Sequence, residues 1–278
     1  MREDADVPLR RIRQEIGRPI CSALLEIQKY ITLEAKSLKW FRSLECLYMK
    51  SDSPRDPAPS SSQLLGRTCI DPFECGDYVA VSYVCNPQPG EDAGTGGYRV
   101  ESRRTRRVSP LSRVRDVVWD RVSNFAAYID CPNFWIDQEC INQDDENEKE
   151  IAIQSMHLVY RHSDNPVALL TTRISDPEEL DLLAELLRGS FVDDDDNDDE
   201  DTRPDLRLNP DMLESAGDVL GLLDSITSDR WWNRAWPFQE DYCAATKMTL
   251  LIPTIPLWRS AKGASKGCYL AVSQASSV

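Results

Sequence analysis

Seven consecutive residues, Tyr78-Val79-Ala80-Val81-Ser82-Tyr83-Val84, constrain the fold more than any other stretch. β-Branched and aromatic side chains fill the run almost throughout, which is the composition of a strand. A strand with one wet face alternates apolar and polar residues; this one hardly alternates, so both of its faces are covered. Such a strand belongs at the centre of a sheet with helices packed above and below, the α/β class. After it come Asn86-Pro87-Gln88-Pro89-Gly90 and then Gly94, Gly96 and Gly97, a flexible loop at the strand's carboxyl end. The loop is not Gly-x-Gly-x-x-Gly and no Gly-Lys-Ser/Thr follows, so neither a Rossmann fingerprint nor a P-loop is present.

The same order of strand, polar loop and helix returns further on. Asn133 to Ile136 is a short aromatic and β-branched run, Asp137 to Glu148 is polar and acidic, and a helical pattern runs from about Glu148 to His162. That helix buries Ile151, Met156, Val159 and Tyr160, and Pro166 to Leu170 reads as a third strand. Leu111 to Ile129 is an amphipathic helix, with Val114, Val117, Val118, Val122, Phe125 and Ile129 on one face. Ligands of parallel α/β sheets sit beyond the carboxyl ends of the strands, so Asp137 to Gln143 is the expected rim of a site.

Residues 9 to 50 read as helix, with a break or kink at Pro19 and with Leu38, Trp40, Phe41, Leu44 and Leu47 in its later part. A Pro/Ser-rich loop over residues 51–63 follows. Residues 1–63 are thus expected to be an N-terminal helical extension and residues 64–278 the main domain. Helical segments Asp176 to Arg188 and Asp211 to Ser225, with an acidic run between them, read as an insertion over about 176–228. Met248 to Ile255 and Cys268 to Ser273 read as strands, and the chain then stops without a clear cap, as a trimmed fragment does.

Charge and cysteine content narrow the function classes. The net charge of −15 speaks against nucleic acid as a partner. Asp193 to Asp201 alone supplies eight negative charges and reads as a solvated loop; it lacks the glycine and terminal glutamate of a calcium loop. Nine cysteines with no Cys-x-x-Cys pair and only two histidines, His157 and His162, give no zinc pattern and fit free thiols in a reducing, cytoplasmic setting. Met1 to Asp6 is no signal peptide, and no apolar run reaches the length of a membrane span. Arg103-Arg104-Thr105-Arg106-Arg107 has two readings, a solvated loop that offsets the acidity or a phosphate clamp, and the first is favoured. Cys140 is a poor nucleophile because Asp137 and Glu139 beside it raise its pKa.

Asp229 to Glu240 is the second unusual stretch, with Trp231, Trp232, Trp236, Arg230 and Arg234. Trp232, Trp236 and Glu240 are spaced by four, a helical stripe, and Pro237 places the helix start near Ala235 or Trp236. One reading is a core anchor of large aromatics. The other adds Glu240 as a carboxylate desolvated beside aromatic walls and aimed at a ligand.

Three of these stretches together resemble the fungal heterokaryon-incompatibility (HET) domain. Tyr78 to Val84 is similar to the family's Tyr-x-Ala-Leu-Ser-Tyr-x-Trp-Gly, with Cys85 and Asn86 where Trp-Gly is usual. Phe134 to Asp137 with Cys140-Ile141-Asn142-Gln143 and the helix after it looks like the Trp-Ile-Asp-x-x-Cys-Ile-Asn-Gln core. Arg230-Trp231-Trp232 with Arg234-Ala235-Trp236 and Gln239-Glu240 is similar to Arg-x-Trp-x-x-Gln-Glu, with Pro237 atypical. The resemblance implies a Toll-receptor-like (TIR-like), flavodoxin-like fold: a parallel sheet flanked by helices. It implies a role in incompatibility, innate immunity and cell death, with NAD or a related nucleotide as substrate and neither cofactor nor metal. By position Glu240 is the catalytic residue. Ser82, Tyr83, Asp137, Asn142, Gln143, Trp232 and Trp236 are the substrate contacts, and loop 137–147 is the gate. A homo-oligomer on activation and an incompatibility partner protein are implied as well. The alternative within the same family is a non-catalytic module that signals by homotypic assembly.

Overall fold

A computed structural model describes residues 31–50, 62–87, 91–193, 207–234, 237–254 and 268–273. The elements are α1 (Ile31–Phe41), β1 (Leu44–Met49), β2 (Gln63–Ile70), β3 (Val79–Tyr83), β4 (Tyr98–Glu101), β5 (Val108–Leu111), α2 (Asp116–Tyr128) and β6 (Asn133–Trp135). They continue with a single turn α3 (Asp137–Cys140), α4 (Glu146–His162), β7 (Asn165–Leu169), α5 (Pro177–Leu187), β8 (Val192–Asp193) and β9 (Arg207–Leu208). The last are α6 (Ala216–Thr227), α7 (Pro237–Ala244), β10 (Thr249–Thr254) and β11 (Cys268–Ser273).

Nine strands form one sheet in the order β11-β10-β7-β3-β6-β1-β2-β4-β5. Its centre is parallel: β3 pairs with β6 on one side and β7 on the other, and β7 pairs with β10. Numbered by their own sequence, these four strands stand in the order 2-1-3-4, the arrangement of a flavodoxin-like sheet. All five residues of β3 are buried, which is why its sequence does not alternate. Successive side chains of a strand point to opposite faces. On β6, Phe134 meets Trp119 of α2 and Trp135 meets Tyr160 of α4, so α2 and α4 cover opposite faces. α4 in turn packs against both α1 and α7.

The flanks differ from expectation. The sheet is mixed, because β11, β1 and β5 run antiparallel to their neighbours β10, β6 and β4. The helix expected through residue 50 ends at Phe41, where Arg42 and Ser43 donate back to the Leu38 and Trp40 carbonyls. Leu44–Met49 is instead a strand held between β2 and β6. Residues 9–30 of that expected helix and residues 51–61 of the Pro/Ser-rich loop lie outside the described residues. The helix expected from Leu111 begins at Asp116, and Leu111 closes β5. Loop 137–147 contains the turn α3. The helices of the expected insertion are present as α5 and α6; residues 194–201 of its acidic run lie outside the described residues. No helix among the described residues is long and apolar enough to cross a membrane.

Candidate functional site

The carboxyl end of β3 carries a buried polar cluster. Ser82 faces the layer of α4 and α7 and is 2% exposed. Its hydroxyl donates to a carboxylate oxygen of Glu240 on α7 and accepts from the indole Nε1 of Trp231 at 2.7 Å. Glu240 is 3% exposed and Trp231 is fully buried. Burial pushes the Glu240 carboxyl above its ordinary value; the Asp137 charge adds to this, and Arg234, Ser82 and Tyr160 oppose it. The Tyr160 hydroxyl of α4 donates to the Val81 carbonyl at 3.1 Å and stands beside the same carboxyl.

Asp137 opens α3 at the carboxyl end of β6, with one oxygen accepting from the Gln138 N–H at 2.8 Å. Its carboxyl is also raised, first by burial, against the pull of Arg234. Arg234 is thus the cation whose charge opposes the effect of burial at both carboxyls. It donates to the Tyr83 carbonyl at 2.5 Å, which ties the α6–α7 connection to the end of β3. Asp229 anchors that connection further. One oxygen accepts from the Thr171 N–H (2.8 Å), the Thr171 hydroxyl (2.9 Å) and the Thr172 N–H, and the other accepts from the Trp231 N–H at 2.7 Å.

The loop bearing Asp137 is held from outside by an ionic network. Arg67 of β2, nearly buried, pairs with Glu45 at 2.6 Å and Glu139 at 3.4 Å and donates to the Glu139 carbonyl at 2.8 Å. Arg103 pairs with Glu45 and Glu148, each at 3.0 Å, and donates to the Cys140 carbonyl. The first arginine of the basic cluster is thus structural. Burial drives the Cys140 thiol up to about 12, so it is inert as a nucleophile near neutral pH.

Three expected site residues, Ser82, Asp137 and Glu240, converge with Trp231 and Arg234. Tyr83 is buried, its hydroxyl beside Cys85 and in electrostatic reach of Asp137 and Arg234, and its carbonyl accepts from Arg234. Asn142 and Gln143 turn into their own loop. The Asn142 amide donates to Glu148 at 3.2 Å, and the Gln143 amide donates to the Asp137 carbonyl at 3.2 Å. Trp232 packs edge-on against Trp231 at 4.7 Å and donates to the Ile226 carbonyl at 3.0 Å. Trp236 lies outside the described residues. Sequence reasoning missed Trp231, Tyr160 and Arg234 as members of the cluster. Trp231 and Arg234 sit inside the motif that carries Glu240, and Tyr160 is on the inward stripe of α4, so the signals were present but not specific. Among the described residues no group of His, Cys, Asp or Glu side chains could hold a metal ion.

A family model described as heterokaryon incompatibility protein (HET) matches residues 78–240, more than half of the 278-residue chain. The span opens at the start of β3 and closes on Glu240. No curated protein and no solved structure matches the chain.

Proposed function

The chain belongs to the heterokaryon incompatibility (HET) family, and from that membership we propose that it is an effector of regulated cell death that hydrolyses NAD at the nicotinamide–ribose bond. Heterokaryon incompatibility is the function the family carries; the NAD chemistry is the finer reading. One observation carries it. A carboxyl, Glu240, is held at the carboxyl end of the central parallel strand, where ligands of this sheet type bind, with Asp137 and Arg234 in electrostatic reach.

Cleavage builds positive, oxocarbenium-like charge on the ribose as nicotinamide leaves with the bonding pair, and water then adds at the anomeric carbon. In this reading the Glu240 carboxylate releases Ser82, binds the ribose hydroxyls and stabilises that charge. Raised by burial, it ionises fully only as Arg234 compensates it. No cofactor takes part: NAD is substrate alone. An incompatibility partner protein supplies the trigger.

A second reading is favoured by the depth of Glu240, which is 3% exposed and bonded to Ser82. There the carboxyl only fastens α7 to β3, and the domain signals by assembly without catalysis. Following nicotinamide release from NAD by the purified chain separates the two. The NAD reading expects release by the wild type and its loss in Glu240→Ala and Glu240→Gln. Equal release by Glu240→Ala defeats the catalytic assignment, and a chain that kills cells but releases nothing leaves the assembly reading standing.

A further inference from the structure

Glu240 has a second carboxyl for a neighbour, and the sheet places it. β3 and β6 are parallel neighbours, with Val79 opposite Phe134 and Ala80 opposite Trp135. Ile136 stays extended, with φ −131° and ψ 127°. The register therefore runs on to set Ser82 opposite Asp137, their backbones about 4.8 Å apart. Side chains of a strand return to the same face at every second residue. Trp135 meets Tyr160 on the face that α4 covers, so Asp137, two residues on, comes back to that face. Ser82 holds Glu240 on the same face.

The two carboxyls have different surroundings. Glu240 is deep and bonded to Ser82, whereas Asp137 is only partly buried. Among the described residues the Gln138 N–H is the one donor to the Asp137 carboxylate from outside its own residue. Loss of solvent raises the Asp137 carboxyl towards neutrality, where a general base works best. The Tyr83 hydroxyl is buried within electrostatic reach of Asp137 and has no hydrogen-bond partner. A buried hydroxyl in that state has a bond to give to a water molecule.

Glycosidases commonly divide two carboxyls between an acid and a base or nucleophile, because the leaving oxygen has to be protonated. Nicotinamide leaves NAD neutral once it takes the bonding pair, so it needs no acid, and a second carboxyl is free to act on water. We propose that Asp137 is the general base of the NAD hydrolysis, an assignment that rests on the NAD reading of this site and adds to it the group that activates water. The bond from the anomeric carbon to the ring nitrogen breaks with its pair going to nicotinamide, and Glu240 stabilises the charge left on the ribose. The water oxygen, oriented by the Tyr83 hydroxyl, bonds to the anomeric carbon. Its proton passes to the Asp137 carboxylate and then to solvent. The products are ADP-ribose, nicotinamide and one proton.

Base exchange separates this step from bond cleavage. The full chain is incubated with NAD and acetylpyridine, and nicotinamide, ADP-ribose and the acetylpyridine dinucleotide are followed by chromatography. Acetylpyridine attacks through its ring nitrogen and has no proton to lose, so exchange needs Glu240 but no base. The wild type is expected to hydrolyse and to exchange, and Glu240→Ala to do neither. Asp137→Asn keeps an oxygen for the Gln138 N–H. It is expected to form ADP-ribose about 100-fold more slowly while exchange continues, which also shows that it is folded. Asp137→Asn that hydrolyses like the wild type, Asp137→Asn that loses both activities in proportion, or a wild type that hydrolyses without exchanging overturns the assignment and leaves the NAD reading in place. A wild type that neither hydrolyses nor exchanges overturns the NAD reading itself, and the base with it.

Discussion

Removing the Ser82 hydroxyl strips the Glu240 carboxyl of a donor and the Trp231 indole of its acceptor, both deep in the core. A buried polar group left without a partner costs about 1–3 kcal/mol, so Ser82→Ala is expected to lower the unfolding free energy by at least that much in a urea melt. Ser82→Thr retains the hydroxyl and is expected to lose less. A second prediction concerns pH. The folded chain holds the Glu240 proton more tightly than the unfolded chain does, where the ordinary value is 4.5. This group therefore favours folding below 4.5, and the contribution is lost as pH rises through the folded value. Melts in mildly acidic and in neutral buffer should show Glu240→Gln losing less stability across that interval than the wild type; equal losses would mean the carboxyl is not the group that titrates. At this scale the motifs contain Ser82, Asp137 and Glu240, which the fold brings to the carboxyl ends of β3 and β6. They did not reveal Arg234 or Tyr160, because what compensates a buried carboxylate depends on contacts between segments far apart in sequence. Asn142 and Gln143 read as ligand contacts because amides are versatile, yet both amides serve the loop's own backbone and Glu148.

Loop 137–143 keeps its shape because β2 and the β4–β5 turn hold it. Arg67→Ala would strip the Glu139 carboxylate of its cation and leave Glu45 with Arg103 alone, a loss of about 1–3 kcal/mol. Arg67→Lys keeps the charge but cannot fork between both carboxylates. Hydrogen exchange is expected to show faster exchange at residues 137–143 in both variants, before any change at β3; unchanged protection there would remove Arg67 from the loop's support. The central elements were legible because each carries its own pattern: β3, β6 and β7 as apolar runs, α4 and α5 as stripes between caps. α4 is capped by Asp145, whose carboxylate accepts from the Asn147 and Glu148 N–H groups, at the boundary the polar loop suggested. β1 was hidden because Leu38, Phe41, Leu44 and Leu47 keep a helical spacing with no glycine or proline between them. β2 was hidden by Gly66, Arg67 and Thr68. Gly66 is there for a reason outside its own segment: a Cβ would sit 2.5 Å from the Tyr48 ring crossing it from β1. Pairing of that kind cannot be seen in one strand alone.

Across the whole molecule, the family's matched span runs from β3 to Glu240, the two ends of the hydrogen bond at the centre of the site. The chain folds back so that Ser82, near the start of the matched span, and Glu240, its last residue, meet at the carboxyl end of β3, while β1, β2, β4, β5 and β11 widen the four-stranded parallel centre to nine strands. On the proposed function, this meeting point receives a nucleotide. A crystal structure of the chain with a carba-NAD analogue, which keeps the ribose hydroxyls but resists cleavage, tests it most directly. The expected result is density at the carboxyl end of β3, with the ribose hydroxyls within hydrogen-bond distance of Glu240 and the Ser82–Glu240 bond exchanged for them. Analogue bound elsewhere, or crystals grown with saturating analogue in which Ser82 still holds Glu240 and no analogue lies beside it, would contradict it.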